Sequence, residues 1–281
     1  MEALKDLWFG FTKNKWKTVT YIFTCFSVLF TIVKVITQFF PGIQISGAAP
    51  LVAAILVSVG WGVWNIWKPS KVTLKIAHCS TCLEIVFADI FEQPGIRAIG
   101  VSEFFETQLG NPVSEKSLHG AFLKRHFSGY VDSIDKQIEA QLIDVKGNKT
   151  PDKVEGKTLC YPIGTTALIN VNDDRYILFA LAKTNITNSK VYSDVELLWR
   201  ALHKLWQRAR IECGGEPLNL PLVGSGLAGL NLTTRDLLNL VILSAITESK
   251  AHEVTQLIRI VLRRDRFEDI DLREIQQHWE K

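Results

Sequence analysis

The chain has 281 residues, 47% of them hydrophobic, and 32 basic against 29 acidic side chains leave a formal net charge of only +3. So small an excess gives no strongly basic face, which excludes a nucleic-acid-binding role read from charge, and no nucleic-acid partner is expected. The apolar residues are distributed unevenly: from Thr18 to Trp67 the only charged side chain is Lys34, and an ordinary mixed-polarity domain follows.

In chain order, Leu4, Leu7, Trp8 and Phe11 stand at i, i+3, i+4 and i+7, so residues 1–17 predict an interfacial segment, a short amphipathic helix lying on a membrane surface. Residues 18–68 predict a transmembrane hairpin, with apolar stretches from about Val19 to Phe40 and about Ala48 to Trp67. A helix needs ~20 residues to cross a bilayer core, and each stretch suffices. Pro41-Gly42 and Pro50 punctuate the short connection, so both termini lie on one side. Lys5, Lys13, Lys15 and Lys17 precede the hairpin, Lys68, Lys71 and Lys75 follow it, and the loop has no charge. That asymmetry puts both ends in the cytoplasm. A cleaved signal peptide is the rival, with Gly47-Ala48-Ala49 as the cleavage site. The first run is too long for an h-region and a second span follows at once, so a retained anchor is expected. Ala54, Ser58 and Gly62 recur every fourth residue, a small-residue face for close helix packing. Trp61, Trp64 and Trp67 gather at the cytoplasmic end. Lys34 has two readings, a side chain that snorkels outward or one facing a water-filled oligomer interior.

Residues 72–281 form the soluble part, long enough for one domain with its own core. Strands are expected at Val72–Ile76, Leu83–Phe87 and Ile96–Val101, and a helix at Ser117–Phe127. Ile134–Leu142 is open between a helix and an irregular insert, and Lys146–Gly156 is polar and turn-rich. Strands return at Thr158–Pro162, Thr166–Val171 and Tyr176–Ala182, the last two joined by an Asn172-Asp173-Asp174 turn. Ser193-Asp194-Val195-Glu196 reads as a capping box for a helix that buries Leu197, Leu198, Ala201, Leu202, Leu205, Trp206 and Ala209. A strand at Leu218–Leu222 precedes a helix capped by Thr233 or Thr234, whose apolar face is Leu237, Leu238, Val241, Ile242, Ala245 and Ile246. Glu253–Arg263 alternates like a strand, and Asp271 caps a last helix ending near Trp279. This alternation is that of an α/β sheet covered on both faces. His78-Cys79-Ser80-Thr81-Cys82 invites a metal or redox reading, yet Cys160 and Cys213 are isolated. Reduced structural thiols are expected, with no metal and no cofactor.

The segment with most chemistry is Pro221-Leu222-Val223-Gly224-Ser225-Gly226-Leu227-Ala228-Gly229-Leu230, a strand end running into glycines and then a capped helix. Glycines let backbone approach a ligand, successive N–H groups can cradle phosphate oxygens, and Ser225 adds a hydroxyl. A tight structural turn has a similar sequence, and the run is neither a Walker A loop nor a G-x-G-x-x-G fingerprint.

This segment resembles the second phosphate-gripping loop of macro domains, which bind ADP-ribose. Glu84-Ile85-Val86-Phe87-Ala88-Asp89-Ile90 resembles the strand whose acidic residue accepts from the adenine amino group, Ala98-Ile99-Gly100-Val101-Ser102 the strand into the first loop, and Ser117-Leu118-His119-Gly120-Ala121-Phe122 the helix start that follows. The resemblance implies a mixed central sheet flanked by helices. It also implies that Asp89 and Ile90 hold adenine, that Val223, Gly224, Ser225, Gly226 and Leu227 hold the diphosphate, and that Ser102, His119 and Gly120 face the ribose or an appended group. Hydrolytic members carry an Asn-Ala-Ala-Asn run where this chain has Ser102-Glu103-Phe104-Phe105, and an aspartate where it has His119. Ala228 replaces an aromatic over the distal ribose. No catalytic residue is therefore expected. His119 is read as a ligand contact or cap, with a replacement base as the alternative. The helix Leu198–Trp206, the glycine loop and the two preceding spans together resemble the effectors of type II Thoeris anti-phage systems. The resemblance implies a bacterial inner-membrane protein with a cytoplasmic macro domain. That domain would bind an ADP-ribose-derived messenger, expected as a histidine conjugate, made by a partner TIR-domain enzyme. Messenger binding would drive homo-oligomerisation in the lipid bilayer and membrane disruption. The alternative is a membrane-anchored ADP-ribosyl hydrolase.

Overall fold

The computed structural model describes residues 15–40, 42, 47–128, 130–226 and 229–280, so Leu4, Leu7, Trp8 and Phe11 of the interfacial segment lie outside the described residues. Two units are described separately, an N-terminal helix pair and the α/β domain. Helix α1 (Lys15–Phe39) has 25 residues and α2 (Ala48–Ile66) has 19. Both are long and apolar enough to cross a membrane. At ~1.5 Å per residue their lengths match a ~30 Å hydrocarbon core. The two helices pack against each other, and Thr18 of α1 and Ser58, Gly62 and Ile66 of α2 are buried. A Cβ at Gly62 would stand 2.4 Å from Ile22 Cγ1, so glycine sets how closely the helices approach. Ser58 turns its hydroxyl back onto the Ala54 carbonyl at 2.7 Å. The small-residue face is therefore occupied by the chain's own first helix.

The second unit is built on a mixed sheet in the order β1-β2-β10-β9-β3-β7-β6, with β8 pairing β7. The strands are β1 (Lys71–Lys75), β2 (Cys82–Phe87), β3 (Ile96–Ser102), β6 (Thr166–Val171), β7 (Asp174–Thr184), β8 (Val191–Tyr192), β9 (Leu218–Pro221) and β10 (Leu257–Leu262). A separate ribbon pairs β4 (Asn148–Lys149) with β5 (Leu159–Cys160). Strands β2, β10, β9, β3 and β7 run parallel, while β1 and β6 close the sheet antiparallel. In β7, Ile177, Leu178, Phe179 and Ala180 are all buried, as a strand covered on both faces requires. One face is covered by α3 (Leu118–His126) and α4 (Asp132–Leu142), whose Phe122, Leu123, Ile134, Ile138 and Leu142 join Ile99, Val101, Leu178 and Ala180 in a core cluster. Helix α5 (Val195–Glu212) buries the face expected of it, α6 (Thr234–Ala251) buries Leu237, Leu238, Val241, Ile242 and Ala245 of its expected face while Ile246 is half-buried, and the Trp206 indole N–H donates to Ser244 Oγ at 2.8 Å. A last helix, α7, spans Leu272–Trp279. This is the mixed, helix-flanked sheet that the resemblance implies.

Local differences have physical reasons. Asp194, not Ser193, caps α5, accepting from Leu197 N–H at 2.8 Å, while Ser193 Oγ donates to the Leu181 carbonyl at 3.0 Å. Ile134–Leu142, left open above, is helical. The strand expected over Glu253–Arg263 starts only at Leu257, because the Glu253 carbonyl accepts from Arg210 Nε at 3.2 Å and Thr255 Oγ1 donates to the Glu216 carbonyl at 2.7 Å. Thr158–Pro162 shortens to Leu159–Cys160, which pairs within the segment expected to be only turns. Thr233 is the cap of α6, accepting from Asp236 N–H at 3.1 Å.

Candidate functional site at the carboxyl edge of the sheet

Parallel strands deliver their following loops to one edge, where open α/β sheets bind ligands. Here that edge gathers residues 88–92 after β2, Ser102 and residues 103–117 at and after the end of β3, 185–190 after β7, and 222–226 with 229–230 after β9. The predicted residues Asp89, Ile90, Ser102 and Val223 to Gly226 are thus brought to neighbouring loops, while Leu227 and Ala228 lie outside the described residues. His119 and Gly120 stand in the first turn of α3, which follows the first loop.

Asp89 caps a single 3-10 turn, its Oδ1 accepting from Phe91 N–H at 2.9 Å, and Ile90 is buried beside it. That turn is held from the sheet: Arg97 Nε donates to the Ile90 carbonyl at 3.1 Å, and Arg97 Nη1 pairs with Asp174 at 2.7 Å. Arg97 and Asp174 were not anticipated, although an arginine inside an apolar strand has to find a partner.

In the glycine loop, Gly224 has φ +85, and a Cβ there would meet Leu230 Cδ1 at 2.5 Å. Ser225 Oγ donates to the Leu222 carbonyl at 2.8 Å and Leu230 N–H to the Gly224 carbonyl at 3.1 Å, which bends the backbone into a closed turn. A Cβ at Gly226 would meet nothing within 4 Å, so the described side of the loop is open there. The Ser225 hydroxyl proton is used internally, leaving the oxygen as an acceptor.

Three buried polar atoms near this edge have no hydrogen-bond partner among the described residues: Ser102 Oγ at the end of β3, Thr184 Oγ1 at the end of the adjacent β7, and His119 Nε2. Buried polar groups are nearly always paired, so each is an expected contact for something the site admits. Thr184 was missed by the sequence reading, where it looks like one more β-branched residue closing an apolar strand. Gly120 has a local role: its N–H donates to the Ser117 Oγ cap at 2.9 Å, and a Cβ would stand 2.2 Å from the Ser114 carbonyl. The first loop turns inward after Ser102. Glu103 accepts from Thr184 N–H at 3.2 Å, and Phe104, Phe105, Glu106 and Thr107 are buried.

Burial, then the nearby Lys157 ammonium, lowers the His119 pKa from 6.5 to about 3. The imidazole is neutral near pH 7 and too weak a base to suit general-base work there. The sign for stability follows, since the unfolded state binds the proton first as pH falls. The stability this group contributes is present above about pH 6.5, declines below it, and is gone near pH 3. One group gives a slope of at most ~1.4 kcal/mol per pH unit. Urea midpoints measured between pH 7 and 4 are expected to fall more steeply for the native chain than for His119→Gln; equal slopes would refute the buried neutral imidazole.

The cysteines do not gather here. Cys79 Sγ donates to the Ser249 carbonyl at 3.3 Å, and burial raises the Cys160 and Cys213 thiols to about 12. A hollow of about 450 Å³ lined by Tyr130, Val131, Asp132, Ser133 and Lys136 opens at the start of α4 and contains none of the predicted site residues.

No curated protein matches the chain. Among solved structures it is similar to a mutant of the Oceanobacillus iheyensis macrodomain with ADPR, at TM-score 0.53 and 14% identity, covering 75% of this chain and 100% of that one. It is also similar to the same macrodomain with ADP, at TM-score 0.52 and 13% identity, covering 74% and 95%. Identities this low speak for the fold alone, which is the macro fold. The model of the family described as Thoeris protein ThsA, Macro domain matches residues 83–263, from β2 through the glycine loop to the end of β10, and the chain belongs to that family.

Proposed function

We propose that this protein is a membrane-held receptor that binds an ADP-ribose derivative and does not cleave it. The observation that carries the reading is the carboxyl edge itself, where the parallel strands β2, β9 and β3 deliver Asp89, the closed Gly224 loop and Ser102, with β10 between β2 and β9. Asp89 would select adenine through its carboxylate. Residues 223–227 would face the diphosphate with backbone N–H groups, as a nest of amides does for anions. Ser102, Thr184 and His119 would meet the distal ribose or the group attached to it. A neutral His119 and the buried Phe104 and Phe105 leave no evident base to activate water. In this reading no cofactor takes part, the messenger is a histidine conjugate of ADP-ribose from a TIR-domain enzyme, and the hairpin lies in the bacterial inner membrane with both ends cytoplasmic. Messenger binding favours the oligomer only by its tighter affinity for that state, and the assembled hairpins then disrupt the membrane in defence against phage.

Calorimetric titration of the detergent-solubilised chain with ADP-ribose, then with its histidine conjugate, tests this. Tighter binding of the conjugate, with both ligands recovered intact, is the expected result. Turnover of either ligand would replace the receptor with a membrane-anchored ADP-ribosyl hydrolase, and absence of binding would remove the site altogether.

A further inference from the structure

Helix α1 is not uniformly apolar. Thr20, Thr24, Ser27, Thr31, Lys34 and Gln38 follow one another at spacings of four, three, four, three and four. At about 100° per residue this is a single stripe, its mean repeat of about 3.6 residues being that of the α-helix itself. The face of α1 turned to α2 is a different one: Thr18 is buried, Ile22 meets Gly62, and Cys25 and Leu29 continue that line half-buried. The polar stripe lies on the opposite side of the helix, where Thr20, Thr24, Thr31, Lys34 and Gln38 are exposed. Helix α2 supplies nothing for it, since Ser58 is buried with its hydroxyl on the Ala54 carbonyl and Asn65 bonds the Trp61 carbonyl. Hydroxyls can satisfy themselves on their own helix, and Thr20 and Thr31 do so on Trp16 and Ser27 carbonyls at 2.9 and 2.8 Å. A lysine ammonium and a glutamine amide have no such recourse in hydrocarbon.

Resting on the reading that the hairpin spans a bilayer and assembles, we infer that copies of this chain meet through the α1 stripe, with α2 on the outside. The stripe lines a hydrated path whose charged constriction is a ring of Lys34. The occupant is a second and further copy of α1 because only the same stripe offers matching polar groups at membrane depth. Water has to accompany it, because lysines of identical chains repel in a dry contact. A ring of ammonium groups makes such a path prefer anions.

The test uses the full chain in liposomes, with Cys25→Ser and one added cysteine. Oxidative cross-linking between copies is expected at Thr24→Cys, Ser27→Cys and Thr31→Cys. It should exceed that at Ile32→Cys and Val33→Cys on the other sides of α1, and at Leu56→Cys on α2, by about fivefold or more, as a specific helix contact does over lipid-facing positions. In planar bilayers with a salt gradient, Lys34→Glu is expected to reverse the sign of the reversal potential. Cross-linking spread over all faces, concentrated on α2, or absent would overturn the inference, as would conductance whose selectivity ignores Lys34→Glu. Each variant is also titrated with ADP-ribose. Intact binding without stripe contacts rejects the stripe alone, whereas loss of binding in the unmodified chain rejects the receptor reading.

Discussion

Gly224→Val is expected to weaken binding of ADP-ribose and its conjugate by about 100-fold or more, equivalent to ~2.7 kcal/mol, in a protein that still folds. The residue sits at φ +85, a region that a β-branched side chain rarely adopts. Its Cβ would fall 2.5 Å from Leu230 Cδ1 and 3.2 Å from Leu237 Cδ2. The leucine side chains can give way, but the backbone cannot keep its conformation cheaply, and strain of this kind is worth ~1–3 kcal/mol. The loop is closed by the Leu230 N–H bond to the Gly224 carbonyl, so relief of that strain opens the turn whose amides the proposed site would use. Gly226→Ala separates ligand from scaffold. With no positive φ there and no atom within 4 Å of the added carbon, it should leave stability within ~0.5 kcal/mol. A drop in affinity for that variant then reports a ligand lying against residue 226. Wild-type binding by folded Gly224→Val would take the loop out of the site.

How much of this was legible depends on whether neighbours in sequence do the work. The caps, the helix faces of α5 and α6, the two-residue Asn172-Asp173 turn and the glycine loop are local, and periodicity or residue type predicts them. The polar row through the middle of the sheet is not local. Glu84, Arg259, Asn219 and Arg97 come from four strands that register side by side. Arg259 Nε meets Glu84 at 2.5 Å and Arg259 Nη1 meets Asn219 at 2.8 Å. Each interrupts an apolar run, which signals that a partner exists but not which one. The same holds for the small-residue face of α2: its fourfold spacing announces a close helix contact, and only the packing against Ile22 says that the chain's own α1 makes it. Thr184 had no signal at all, because its significance is an unpaired hydroxyl, a property of the folded edge.

The insert between α4 and β6 shows the cost of that non-locality, and it yields the largest stability effect expected. Lys153 is buried with its ammonium 2.5 Å from Glu106 and 4.5 Å above the Phe104 ring, and it also donates to the Glu155 carbonyl. Glu106 further accepts from Lys157 N–H at 3.0 Å, so one carboxylate ties residues 153–157 to the loop after β3. Removing one partner of such a pair strands the other charge out of water, typically at ~3–5 kcal/mol. Lys153→Met is therefore expected to lose about that much, measured by urea unfolding. Glu106→Gln should cost less, because the amide oxygen still accepts from Lys157 and the Lys153 ammonium keeps the ring and the Glu155 carbonyl. The double variant should lie well below the sum of the two, the mark of residues that interact directly. If the insert detaches instead of unfolding the domain, amide protection across residues 148–160 falls in Lys153→Met while the rest of the sheet is unchanged. Stability and protection both at native values would mean that the pair does not hold the insert. Because Phe104 and Glu106 lie in the loop that follows Ser102, a loosened insert should also weaken ligand binding.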